Sequence, residues 1–156
     1  MEENKSKLPG NLNALTILTF IGCAVGLIFT LATPYLMKFS LNMMNKAMEN
    51  PDNVNAKQMA QMQEARPAME AVMNNSTSII IVGIIGIALC FIGALNMRKL
   101  KKDGFIFYVL GQIIPLVGSY IILGKYAFSD WKSFIGILIP IVFIVLYANH
   151  RKYMVN

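Results

Sequence analysis

Four stretches of this chain contain no Asp, Glu, Lys or Arg: Leu8 to Met37, Ala71 to Met97, Gly104 to Gly124 and Ser133 to His150. Their lengths of 30, 27, 21 and 18 residues each reach the roughly 18 to 20 that a helix rising about 1.5 Å per residue needs to cross a ~30 Å hydrocarbon layer. The pattern predicts an all-α polytopic membrane protein with four transmembrane helices in a single domain over residues 1–156. Spans are expected at about residues 13–36, 78–97, 105–123 and 131–147. The first run is longer than the apolar core of a secretory signal and lacks a small-x-small site followed by a soluble body, so it reads as a retained span.

Between the first two spans, over residues 37–75, the pattern changes character. Met37, Leu41, Met44 and Met48 recur at steps of 4, 3 and 4, and Met59, Met62, Arg66, Met69 and Met73 at steps of 3, 4, 3 and 4. That rhythm places an apolar stripe on each of two helices that can pair. Asn50-Pro51-Asp52-Asn53 lies between the halves and has turn chemistry. The expected element is a Met-rich extracytoplasmic helical hairpin between spans one and two. Its first arm would continue span one outward past Lys38 to about Glu49, roughly 20 Å beyond the bilayer. Pro67 would kink the returning arm or start a new helix after Ala65-Arg66. Asn74-Asn75-Ser76-Thr77-Ser78 is a further break, offering a Ser or Thr cap to span two.

Charge then orients the chain. Arg98, Lys99, Lys101 and Lys102 crowd the short turn between spans two and three, which the positive-inside rule makes cytoplasmic. Alternation puts both termini inside as well, in agreement with Lys5, Lys7, Arg151 and Lys152. Residues 39–77 carry Lys46, Lys57 and Arg66 against Glu49, Asp52, Glu64 and Glu70, a balance suited to the outer side. The expected location is a bacterial inner membrane or a plasma membrane. At 56% hydrophobic and 14% charged, against about a quarter charged in soluble domains, the composition argues against a water-soluble globule. The net charge of +6 does not indicate nucleic acid, because the basic residues cluster at span ends rather than over one soluble face.

Several intramembrane residues carry specific expectations. Gly22 and Gly26 form a small-xxx-small pair in span one, Gly83, Gly86 and Gly93 stud span two, and Gly111 and Gly118 lie two turns apart in span three; these faces should be where helices touch. Pro34, Pro115 and Pro140 interrupt helical hydrogen bonding in their spans. Cys23 and Cys90 should pack as small apolar groups rather than form a disulfide. Tyr35, Tyr126, Trp131, Tyr147 and Tyr153 read as anchors in the headgroup layer. Gln112 is the most polar side chain deep in a span, with Tyr108 and Ser119 on roughly the same face, and would hydrogen-bond to another helix or line a small pore.

Motifs for chemistry do not occur. There is no P-loop, GxSxG, HExxH or CxxC, and the intramembrane hydroxyls Thr16, Thr19, Thr30, Thr33 and Ser119 have no charged or imidazole companion in their spans. No catalytic residue, cofactor site or metal ligand set is expected, and the chain does not read as an enzyme. The layout resembles that of claudins and tetraspanins, with four spans, both ends inside and one elaborated outer loop. The outer cysteines of those families have no counterpart in residues 38–77, so the resemblance implies layout alone and no residue role.

The leading expectation is a non-catalytic accessory, scaffold or assembly subunit in the lipid bilayer. It would contact another membrane protein, or a second copy, through the Met stripe or the glycine faces. One alternative is a small oligomeric channel or transporter lined by the third span, with Gln112 and Pro115 at its centre. Another is copper handling, because thioethers are soft ligands for Cu(I).

Overall fold

The computed structural model describes residues 10–49, 55–128 and 131–150. Side chains are described over the same range except for residues 128, 131–136 and 150. The expected turn at Asn50 to Asn53, the terminal basic residues Lys5, Lys7, Arg151 and Lys152, and Tyr153 lie outside it. Among the described residues five α-helices follow in order: α1 (Gly10–Glu49), α2 (Ala56–Asn74), α3 (Ser76–Arg98), α4 (Asp103–Leu123) and α5 (Trp131–His150), with a 3-10 turn at Gly124–Phe128 between the last two. No strand occurs among the described residues. Three helical runs are long and apolar enough to cross a membrane, namely α1, α3 and Asp103–Ala127; α5 contributes a shorter apolar stretch, Ile137–Asn149, among the described residues.

Helix α1 has 40 residues, so it extends about 60 Å, twice a hydrocarbon layer. It runs without a break through Pro34 and on past Lys38. Helix α2 is likewise continuous through Pro67, which is exposed. The proline starts no new helix at Ala65-Arg66. One residue, Asn75, separates α2 from α3. Its side-chain amide donates to the Ala71 carbonyl at 2.9 Å, closing the end of α2. Helix α3 therefore begins at Ser76 without the serine or threonine cap expected near Ser78; Asn75 is its N-cap and makes no side-chain cap bond.

Helices α3 and α4 pack antiparallel with their backbones in contact. Gly86 and Gly93 on α3, and Gly104, Gly111 and Gly118 on α4, each recur at steps of seven and all face this seam. A methyl group placed on Gly93 would lie 2.6 Å from the Tyr108 amide nitrogen, and one on Gly104 would lie 2.5 Å from the Met97 nitrogen. Small residues are used this way in membranes, where no hydrophobic force drives helices together and close approach supplies the attraction. The turn joining the two helices is held just as firmly. Leu100 adopts φ 59°, a left-handed position usually given to glycine. Its N–H donates to Met97 O at 2.9 Å while Lys101 N–H donates to Asn96 O at 3.0 Å. The Leu100 side chain packs on the buried cluster, which offsets the roughly 1–2 kcal/mol that a left-handed non-glycine residue costs.

That cluster lies at one end of the bundle. It consists of Leu12 from the start of α1, Cys90 and Met97 from α3, Tyr108 from α4 and Tyr147 from the end of α5. Tyr147 is fully buried, at 0% exposure, and so is not the headgroup anchor its place near a span end suggested. Its hydroxyl lies 2.7 Å from Thr19 Oγ1 and its ring 4.7 Å from that of Tyr108. Helix α1 meets α3 through Phe20 on Phe91, with ring centroids 5.2 Å apart, and through Gly26 and Gly83, which accommodate Ile87 and Thr30 respectively.

Candidate functional site

The interhelical seams converge on a cleft of about 250 Å³, the volume of roughly eight waters at ~30 Å³ each. One wall is α1, with Leu18, Thr19, Gly22 and Cys23; Ile87 and Cys90 of α3 and Tyr108, Gly111, Gln112 and Pro115 of α4 form the back; Ile139, Pro140 and Phe143 of α5 close the far side. Leu18, Gly22 and Ile139 are exposed on the outside of the bundle. The mouth therefore opens sideways between α1 and α5. Thr19 and Gln112 each lie nine residues from the first residue of their helices, Gly10 and Asp103, a depth of about 13 Å.

Few polar groups reach this cleft, and most are already engaged. Thr19 Oγ1 donates to the Leu15 carbonyl at 3.0 Å, leaving its lone pairs to accept the Tyr147 hydroxyl proton across the 2.7 Å contact. Cys23 Sγ points at the Ile87 carbonyl at 3.9 Å and Cys90 Sγ at the Tyr108 carbonyl at 3.8 Å. Both cysteines are free thiols, as expected. Gln112 Nε2 donates to Cys90 Sγ at 3.4 Å, a weak acceptor for an amide, and the Gln112 side chain also hydrogen-bonds that of Tyr108.

The structure brings some expected residues together and separates others. Gly22, Gly111, Gln112 and Pro115 line the cleft, while Gly86, Gly93 and Gly118 are taken up in the α3–α4 seam. Gly26 contacts Ile87, but Gly22, its partner in the small-xxx-small pair, would have nothing within 4 Å of an added methyl. Gln112 and Tyr108 share the cleft, whereas Ser119 does not line it. Gln112 turns towards Cys90. Thr19, Cys90 and Gly104 went unremarked as partners of these groups. Gly104 had a readable signal, the spacing of seven to Gly111 and Gly118.

The Met stripe forms the covered side of its helices. Met44 is buried, and Met37, Leu41, Met48, Met59, Met62, Met69 and Met73 are half-buried, while Met43, off the stripe, is exposed. Arg66 joins the stripe with its guanidinium 4.0 Å from Met48 Sδ, and it also pairs with Glu70 at 2.8 Å. A guanidinium beside a thioether is an unfavourable neighbour for a bound cation such as Cu(I). The opposite face of α1 is apolar and uncovered: Ile21, Val25, Ile28, Tyr35 and Phe39 are exposed, and with Ala32 they recur at steps of 4, 3, 4, 3 and 4. No protein-family model matches the chain, and neither the curated proteins nor the solved structures include a match to it.

Proposed function

We propose that this chain is a non-catalytic integral membrane protein, an accessory or assembly subunit that docks a second membrane protein along the uncovered face of α1. In this reading α1, α3, α4 and α5 are four spans, both termini are cytoplasmic, and α1 and α2 form a hairpin on the outer side of a bacterial inner or plasma membrane. The observation that carries the proposal is the continuation of the exposed stripe past the bilayer. Phe39 and Met43 are 66% and 56% exposed, and they follow the expected span end at Leu36 by about 4 and 10 Å. Lipid tails cover the stripe from Ile21 to Leu36, but a headgroup layer of about 5–7 Å leaves Met43 facing water.

The 4, 3 spacing suits a partner helix lying parallel to α1 over about 33 Å. The occupant is thus a membrane protein with a helix that also extends beyond the bilayer. Apolar surface of this kind, exposed in water, marks interaction sites. A photoactivatable phenylalanine analogue at Phe39, illuminated in native membranes, should give one dominant crosslinked product with a different protein. A ladder of unspecific products would overturn the proposal, and a product at twice the chain's mass would reassign the face to self-association.

A further inference from the structure

We propose that the turn between α3 and α4 binds the headgroup of an anionic phospholipid whose acyl chains lie along the outer faces of the two helices. This surface is distinct from the docking face of α1, and its assignment rests only on α3 and α4 crossing the bilayer. Four of the five residues from Arg98 to Lys102 are cationic, and Arg98, Lys99, Lys101 and Lys102 are all exposed. The ion pair found among the described residues is that of Arg66 with Glu70, so no described acid is paired with any of the four, the adjacent Asp103 included. Like charges crowded in this way repel one another, and an anion among them relieves the repulsion.

Orientation of the spans accounts for the presence of these charges but not for their being held in place. A loose basic loop would orient the helices equally well, whereas this turn is fixed. Leu100 is left-handed, its N–H and that of Lys101 donate to Met97 O and Asn96 O, and its side chain packs on the buried cluster. Close by, Gly93 and Gly104 bring the two main chains into contact. The backbone positions of the cations are thereby preset, which lowers the ordering cost of binding. Arg98 ends α3 and Asp103 begins α4, so the cluster lies where two apolar helices leave the hydrocarbon, at the depth of lipid phosphates. Next to it the helices carry exposed apolar side chains, Ile92 and Leu95 on α3 and Ile106 and Phe107 on α4. A soluble anion or an acidic protein segment would use the charges alone; a phospholipid uses the charges and the apolar faces together.

The full-length protein in a nonionic detergent, given equimolar phosphatidylglycerol and phosphatidylcholine of the same chain length, tests this by native mass spectrometry of the lipid it retains. Phosphatidylglycerol should be favoured about fivefold or more, the contribution of one basic residue at an anionic surface. Lys101→Gln with Lys102→Gln should bring the ratio to about two or less, while Lys101→Arg with Lys102→Arg should keep it. Lys46→Gln with Lys57→Gln, which removes the same charge from α1 and α2, should leave the ratio unchanged. All these lysines are exposed, so every variant should melt with the wild type. Equal retention of the two lipids by the wild type would overturn the proposal and leave the turn to an acidic protein surface. An equal loss in the Lys46 and Lys57 variant would overturn it by reducing the preference to net charge, and full displacement by excess glycerol phosphate would do so by reassigning the cations to a soluble anion. Retention of neither lipid would remove the spans together with the site, whereas equal retention of both removes the site alone.

Discussion

Replacing a glycine with alanine should have opposite consequences at Gly111 and Gly22, and the comparison tests the packing of the whole bundle. At Gly111 the new Cβ would lie 2.6 Å from the Cys90 amide nitrogen and 2.7 Å from the Gly86 carbonyl oxygen, against the 3.4–4 Å of ordinary contact. Helix α3 must therefore move away by at least about 0.8 Å, since both obstacles are main chain and neither can rotate aside. Forcing a methyl into a packed interface costs about 1–3 kcal/mol. Alanine's helix propensity returns at most about 1 kcal/mol, and less if the unfolded reference keeps its helices in the membrane. The expected result for Gly111→Ala is a net loss of about 1–2 kcal/mol.

At Gly22 the same substitution meets nothing within 4 Å, so only the propensity remains and the change lies between zero and about 1 kcal/mol of stabilisation. Thermal unfolding in one detergent, followed by exposure of the buried Cys90 thiol, measures both. At roughly 2–4 °C per kcal/mol for a chain of this length, the two variants should melt several degrees apart, with Gly111→Ala the lower. Gly93→Ala, whose methyl would sit 2.6 Å from the Tyr108 nitrogen, should behave like Gly111→Ala. Equal melting of Gly22→Ala and Gly111→Ala would refute the backbone-to-backbone seam.

Tyr147→Phe should lose about 1 kcal/mol with its hydrogen bond to Thr19; in a double-mutant cycle of thermal stabilities, Thr19→Val should add little on top, because both changes remove the same 2.7 Å contact. Leu100→Gly relieves a left-handed backbone but deletes a side chain packed on the buried cluster. Since core truncation outweighs about 1 kcal/mol of relief, the variant should melt below wild type, and a higher melting temperature would show that the side chain contributes little. Met44→Ala should cost about 2 kcal/mol or more, as a buried methionine leaves a cavity; Met43→Ala, more than half exposed, should stay within about 0.5 kcal/mol. The same melting assay separates these two.

Charge exclusion made the helices readable. Three apolar runs lie within helices long enough to cross a bilayer, and the ends of α3 and α4 fall within two residues of the expected 78–97 and 105–123. A charged group in hydrocarbon is so unfavourable that it marks boundaries more sharply than propensity does. Facing was harder to read. In water a helix advertises its buried side by alternating apolar and polar residues, but next to lipid both sides are apolar and the pattern carries little information. Tyr147 illustrates the consequence: position near a span end suggested an interface, and only three-dimensional neighbours show it bonded to Thr19. The Met stripe, outside the expected span, kept its amphipathic signal, and there the side that is covered was legible from spacing.

The same distribution of packing bears on what can move. Helices α3 and α4 touch through their main chains, so sliding one past the other would break several close contacts at once. Helix α1 rests on α3 by side chains such as Phe20 on Phe91, and the described hydrogen bond between α1 and α5 is that of Thr19 with Tyr147. Local opening follows the weakest contacts, so α1 and α5 should part from the bundle before α3 and α4 part from each other. The stripe proposed for docking lies on the same moving helix.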